Sequence, residues 1–227
     1  MFKKLLLVSS MSLLSFGALA QAVTFNSSQY STSALAMSEG LVNGSSATNP
    51  PGSLSIVSTA TAAGTNDFAN AAAVANAGLL TATVATDSLV AAARGDAYSR
   101  FVGSFSGGGA FSLTLNFNTF ETLSGGSGAG NLFVLLTNTV GTSTTTLYNN
   151  VFVSTGTYQL QYTLAANSTS QLSLFVTDSA SATAGQTAQS FAQLGYAATL
   201  AVPEPATWVL LGLGMGALVL RRRAISA

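Results

Sequence analysis

Carboxylates are the side chains of this sequence that could do chemistry. The 227-residue chain contains no histidine and no cysteine, which excludes imidazole bases, thiolate nucleophiles and metal sites built on either residue. Two carboxylates alone can catalyse glycoside hydrolysis. No local motif pairs the candidate acids, and we interpret them as solvated turn or strand-edge residues: Asp87, Asp96, Glu121 and Asp178. The sequence therefore predicts a protein that is not an enzyme and needs no cofactor.

Three short patterns could indicate binding sites. Arg94-Gly95-Asp96 spells a cell-adhesion tripeptide, but a turn or strand edge with a local Arg/Asp pair explains it better. The glycine-rich run 125–130 precedes a predicted strand rather than a helix, so we interpret it as a flexible linker and not as a phosphate-binding loop. Asp67 and Asp178 stand alone, outside any D-x-D-x-D calcium loop. We expect no metal site.

Charge is concentrated at the two ends of the chain. Charged residues make up 6% of the sequence, against about a quarter in typical soluble domains. The seven cations are Lys3, Lys4, Arg94, Arg100, Arg221, Arg222 and Arg223. The middle of the chain thus has two arginines, too few to neutralise a phosphate backbone, and nucleic-acid binding is excluded.

The N-terminus has the three parts of a cleaved secretory signal. A basic start at residues 1–4 is followed by an apolar run at 5–16 and a small-residue region. That region offers two Ala-x-Ala sites. We predict a signal peptide over residues 1–22, cut by signal peptidase after Ala20 or Ala22.

The C-terminus combines three elements within residues 202–223. Pro203-Glu204-Pro205 predicts an extended joint, residues 206–220 carry no charge, and three arginines follow. Fifteen helical residues at 1.5 Å rise span roughly 22 Å, less than the ~30 Å hydrocarbon core, so we expect a marginal and transient inner-membrane helix. Trp208 suits the outer interface and Arg221, Arg222 and Arg223 the cytoplasmic side. The region between the two ends is thereby predicted to be exported.

This tail resembles the PEP-CTERM protein-sorting signal of Gram-negative bacteria that make exopolysaccharide. The same tail is also catalogued as the C-terminal domain of ice-binding proteins, a label that implies nothing about ice for the rest of the chain. The resemblance implies that a membrane-embedded exosortase recognises Pro203, Glu204 and Pro205, cuts near them, and releases or transfers the protein to the cell surface or extracellular matrix.

The middle region, residues 23–201, is predicted to be all-β. Apolar and polar side chains alternate over residues 111–118, 158–164, 172–177 and 194–200, a period of two that favours antiparallel strands. Gly- and Ser-rich turns separate these runs. We predict an antiparallel β-sandwich of jelly-roll type, flanked by the signal peptide and a single C-terminal transmembrane helix.

Three segments of the middle region depart from simple alternation. Residues 132–136 are apolar throughout, as in a strand covered on both faces. The alanines of residues 65–77 leave a short helix and an Ala-rich strand as alternatives. Residues 38–55 are interpreted as a loop.

Two functions remain open from sequence. The first is a non-enzymatic exported protein with a structural or adhesive role at the cell surface or in an exopolysaccharide matrix, where that polysaccharide would be its partner. The alternative is a carbohydrate-binding module, in which Tyr148, Tyr158 or Tyr162 would stack on sugar rings if they lie on an exposed sheet face.

Overall fold

The computed structural model describes residues 20–48 and 55–201. A compact unit within Ala22–Leu200 carries the fold, and Ala20, Gln21 and Ala201 are the described residues outside it. The predicted sorting motif, membrane segment and arginine cluster lie outside the described residues. Within the described ranges, no helix is long and apolar enough to cross a membrane.

The described part of the chain forms thirteen strands. Long alternating runs become long strands, and glycines with positive φ occupy several of the turns between them, as at Gly78 and Gly141. The strands are β1 (Ala20–Ala22), β2 (Ser27–Ser38), β3 (Leu41–Thr48), β4 (Ser55–Ala63), β5 (Asp67–Asn76), β6 (Leu79–Ser88), β7 (Ala93–Ser106), β8 (Gly109–Ser124), β9 (Ser127–Val140), β10 (Ser143–Phe152), β11 (Gly156–Leu164), β12 (Thr169–Ala182) and β13 (Gln186–Ala201).

These strands make two sheets that pack face to face. Sheet A has the strand order β11-β8-β13-β6-β5-β4 and also includes β1; sheet B has the order β10-β9-β12-β7-β2-β3. The pairings with defined register are antiparallel throughout. The predicted all-β, antiparallel sandwich is confirmed.

The chain path differs between the two halves of the sandwich. Strands β2 and β3 form a hairpin in sheet B, and β4 to β6 form a meander in sheet A. From β6 to β13 the chain passes from one sheet to the other at every step except the β9–β10 hairpin. As a result, β9, β12 and β7 lie next to one another in sheet B although other strands separate them in sequence.

The core follows from the period of two. In β8, Phe111, Leu113, Leu115 and Phe117 are buried and the polar residues between them face outward. The inner faces of β9 and β12 are likewise filled with Leu and Val. Because each fully buried Leu or Phe contributes about 1.5–3 kcal/mol, this face alone supplies a substantial driving force for folding.

Within residues 65–77, Asp67–Asn76 form strand β5 rather than a helix. Ala69, Ala71, Ala73 and Ala75 are fully buried between the sheets. The strand pairs with β4 on one side and β6 on the other. Burial of every second alanine and two hydrogen-bonded ladders outweigh the helix propensity of alanine, which settles the open choice in favour of the Ala-rich strand.

Two predictions for irregular segments were wrong. Residues 41–48, within the predicted loop 38–55, form the edge strand β3 and pair with β2 in eight register positions.

The glycine-rich run 125–130 is not a linker, because β9 begins at Ser127. A Cβ at Gly126 or Gly130 would lie within 2.9 Å of the Cβ of Ala188 or Ala192 on β13. These glycines allow β9 to approach the opposing sheet closely.

Candidate functional site

The carboxylate of Asp67 is occupied by the backbone of a turn. It accepts hydrogen bonds from the N–H groups of Leu89, Val90 and Ala91 at 2.8, 2.9 and 2.7 Å. These bonds, that from Val90 foremost, lower the pKa of the Asp67 carboxyl. Asp67 therefore fixes the connection between β6 and β7, and both of its carboxylate oxygens are engaged by the backbone.

Asp178 is a buried acid between the two sheets. Asp178 is 1% exposed. Ser190 Oγ donates a hydrogen bond to Asp178 Oδ1 at 2.5 Å, and Asp178 Oδ2 has no hydrogen-bond partner. Burial foremost, together with the nearby negative charge of Glu121, raises the pKa of Asp178 to about 7. The prediction that Asp178 is a solvated turn or edge acid is wrong, and its enclosure keeps substrates away.

The adhesion-like tripeptide lies inside sheet B. Arg94 and Asp96 occupy neighbouring outward positions on β7 and form a two-point ion pair, Nε to Oδ2 at 2.8 Å and Nη2 to Oδ1 at 3.0 Å. Gly95 points inward, where a Cβ would collide with Val84. The predicted local Arg/Asp pair is present, but in a strand flanked by β2 and β12 rather than at a turn or edge.

Two of the remaining acids are exposed. Asp87 is exposed on the outer face of β6 and Glu121 is exposed near the end of β8. Over residues 20–48 and 55–201, no cluster of three or more acidic side chains could hold a metal ion.

The three tyrosines predicted to contact sugar pack against the core instead. Tyr148, Tyr158 and Tyr162 are partly buried at the margin formed by β10 and β11. The ring of Tyr158 lies 4.0 Å from that of Phe152, and the rings of Tyr148 and Tyr162 are 6.2 Å apart. The Tyr158 hydroxyl donates to the Ser154 carbonyl at 2.6 Å. These rings close the sandwich and do not form an exposed platform.

An aromatic groove lies on the outer face of sheet B. It is open to solvent and has a volume of about 580 Å³, within the usual range of ligand sites. Strands β7, β9, β10 and β12 line it with Arg100, Asn131, Phe133, Leu135, Val151, Ser173, Phe175 and Thr177. We refer to this surface as the sheet B groove.

The strand register arranges these residues in rows. Phe175 on β12 is opposite Phe133 on β9 and opposite Arg100 on β7. Phe133 is in turn opposite Val151 on β10. The ring of Tyr98 packs on that of Phe175 with centroids 5.1 Å apart, which limits the movement of the phenyl ring.

Polar groups flank this apolar row. Asn131 and Thr177 are register partners on one side of it, and Ser173 lies opposite Leu135 on the other. An amide and two hydroxyls can each donate and accept hydrogen bonds. The groove therefore offers a ring-stacking floor with hydrogen-bonding groups at its sides, an arrangement that suits a ligand with both apolar faces and hydroxyls.

Sequence reasoning missed this groove because its residues come from four strands that only the register brings together. One signal was available. The uninterrupted apolar run 132–136 predicted a strand covered on both faces; its even-numbered residues are buried in the core, but Phe133 and Leu135 line the open groove. Apolar residues at outward-facing strand positions were thus the sequence feature that indicated a surface site.

Fold and surface together define an all-β sandwich protein with an aromatic groove on one sheet. A family model of the PEP-CTERM protein-sorting motif matches residues 201–223. The resemblance is confirmed, and the motif implies export, processing by an exosortase and sorting to the cell surface. A search of curated proteins finds no match to the chain. The matched segment begins at Ala201, the last residue of β13.

Proposed function

We propose that this chain is a non-enzymatic protein of the cell surface or exopolysaccharide matrix, with a structural or adhesive role in biofilm. The sorting motif at residues 201–223 carries the proposal because it follows the last strand of the sandwich without a spacer. The sandwich is therefore the cargo that signal peptidase and exosortase deliver, after a transient stage in the inner membrane.

The surroundings of the acidic residues support a non-enzymatic role. Asp67 accepts three hydrogen bonds from backbone N–H groups, Asp178 is enclosed, and Asp96 is paired with Arg94. None of these three carboxylates is both accessible and unpaired, whereas glycoside hydrolysis needs a pair of accessible acids at a common cleft.

Strand pairing reaches both ends of the described sandwich. Val23 N–H donates to the Ala198 carbonyl at 3.0 Å and β1 at Ala20–Ala22 also belongs to sheet A, so the sheet pairing spans both predicted cleavage sites, after Ala20 and after Ala22. Strand β13 ends at Ala201, before Pro203. We interpret β6 to β13 as a jelly roll, since its path alternates between sheets as in two Greek keys. Cleavage at either end would leave this barrel-like half intact.

Replacement of Pro203, Glu204 and Pro205 by alanine tests the sorting role. The apolar segment and the arginines are unchanged, so we expect export and membrane insertion to persist while an unprocessed, membrane-bound form of higher mass accumulates. A variant with Arg221, Arg222 and Arg223 changed to Ser should instead release an uncut chain to the outside. If the alanine variant is processed and delivered like the parent, the sorting proposal is wrong.

A second candidate function is carbohydrate binding, and the sheet B groove favours it. In this proposal Phe133 and Phe175, which lie on the outer face of sheet B, stack on the sugar rings in place of the tyrosines predicted from sequence. Aromatic rings on an open sheet surface, beside amide and hydroxyl groups, are suited to sugars. A surface-delivered sandwich with such a groove would attach to the polysaccharide around the cell.

A further inference from the structure

The row of residues along the sheet B groove has a defined length. It runs from Val151 through Phe133 and Phe175 to Arg100, one residue on each of four adjacent strands. Since neighbouring strands lie about 4.8 Å apart, the row spans about 14 Å. This length suits a short run of linked rings crossing the strands better than a single small molecule.

A positive charge stands at one end of the row. Arg100 is exposed, its register neighbours are Phe175 on β12 and Ser31 on β2, and its guanidinium forms no ion pair with any carboxylate of the described residues. The other described arginine, Arg94, lies on the same face of the same strand and is neutralised by Asp96. Six acidic residues are available in the described ranges, yet none is placed to compensate Arg100.

The position of the groove favours a glycan over a peptide. Extended peptides gain affinity by pairing their backbone with a free sheet edge. Of the four strands that line the groove, β9, β12 and β7 are paired on both sides, and β10, which contributes Val151, lies at the edge of the sheet. A ligand over Phe133, Phe175 and Arg100 must therefore bind through side chains, and stacking on rings with hydrogen bonds to hydroxyls meets that condition.

We infer that the sheet B groove binds an acidic polysaccharide, with sugar rings stacked on Phe133 and Phe175 and a uronate carboxylate paired with Arg100. The inference rests on the proposed carbohydrate binding and specifies its substrate class. Asn131 and Thr177 on one side and Ser173 on the other contact the sugar hydroxyls. Arg100 acts as the specificity residue because a guanidinium pairs with a planar carboxylate through two hydrogen bonds.

Calorimetric titration of the full chain in detergent micelles tests the inference. The probes are hexamers of galacturonate and of mannuronate, the same hexamers with their carboxyls reduced to alcohols, and a hexaglutamate peptide. We expect at least one uronate hexamer to bind, and Arg100→Gln to weaken that binding about tenfold, the value of one charge-assisted hydrogen-bonded contact. Carboxyl reduction should cause a similar loss, and the reduced hexamer should be insensitive to Arg100→Gln.

Matched variants separate the groove from the general surface. Arg94→Gln removes the same charge from the same face of β7 and should change binding less than twofold. Phe175→Ala should weaken both native and reduced hexamers. Phe191→Ala, on the outer face of sheet A, should weaken neither. Circular dichroism of each variant verifies that the β-fold is retained.

Four results would overturn the inference. Equal binding of native and reduced hexamers, unaffected by Arg100→Gln but lost in Phe175→Ala, would leave a sugar-binding groove without acid specificity. Equal losses in Arg94→Gln and Arg100→Gln would indicate non-specific attraction. Hexaglutamate binding as tightly as the uronates would assign the groove to acidic peptides. Failure of every sugar hexamer to bind would refute the carbohydrate-binding proposal as well.

Discussion

Replacement of Asp178 by asparagine should remove a pH-dependent loss of stability from the sandwich. The folded protein holds this carboxyl between the sheets, where burial raises its pKa from 3.8 to about 7. In the unfolded chain the same group ionises near pH 4. Asparagine has nearly the same shape and keeps an oxygen that can accept the hydrogen bond from Ser190.

The sign and size of the effect follow from the two pKa values. Below about pH 4 the carboxyl is protonated in both states and costs nothing. Between pH 4 and 7 the unfolded state releases its proton while the folded state keeps it, so the free energy of unfolding falls as pH rises. Each pKa unit of difference between the two states corresponds to about 1.4 kcal/mol of unfolding free energy. The full loss of stability, present above pH 7, is therefore at most about 4 kcal/mol. This is a large part of the ~5–15 kcal/mol that stabilises a typical domain.

Urea denaturation of residues 23–201 at pH 4, 6 and 8 measures this loss. We expect the difference in unfolding free energy between Asp178→Asn and the parent to increase by about 3–4 kcal/mol in favour of the variant from pH 4 to pH 8. Asp87→Asn, which changes an exposed acid on β6, is the control for the loss of one carboxylate. If Asp178→Asn and the parent lose stability equally with rising pH, Asp178 is not a buried acid and the packing described around it is wrong.

Three further predictions concern single positions. Asp67→Asn should destabilise the domain at neutral pH, because the lowered pKa of the Asp67 carboxyl stabilises the folded state wherever the carboxyl is ionised. The difference from the parent should shrink as the pH falls and Asp67 becomes protonated in the folded parent, and urea denaturation over a descending pH series measures it. Gly130→Ala should lower the free energy of unfolding by about 1–3 kcal/mol because the new Cβ would lie 2.9 Å from atoms of β8 and β13. Gly44→Ala is the control, since its Cβ would meet nothing closer than 3.5 Å. Equal shifts in melting temperature for the two variants would contradict this packing. N-terminal sequencing of the exported protein should start at Gln21 or Val23, and a chain still starting at Met1 would refute the signal-peptide prediction.

The sequence predicted those strands whose two faces meet different environments. In β8 the residues from Phe111 to Phe117 alternate because one side is core and the other is water, and the alternation is readable without any partner strand. Strand β3 was missed because it is an edge strand exposed on nearly all of its residues, so Leu41–Thr48 shows no alternation. Strand β5 was ambiguous because its buried side chains are alanines, which suit helices equally well.

The candidate site was less predictable than the fold. The sorting motif is contiguous in sequence, so Pro203-Glu204-Pro205, the apolar segment after it and the arginine cluster could be recognised without a structure. The sheet B groove depends on the register of β9, β12 and β7, which places Phe133, Phe175 and Arg100 side by side although long segments separate them in the chain. Register arises from the packing of whole strands, and a single sequence gives no direct measure of it.

The intact mass and location of the mature protein, in cells with and without exosortase activity, test the central proposal most directly. With the exosortase active, we expect a surface or matrix protein that has lost the signal peptide and is cut near residues 203–205. Without it, we expect a heavier chain that retains the arginine cluster and remains with the inner membrane. The same mass and the same location in both kinds of cell would contradict sorting by an exosortase.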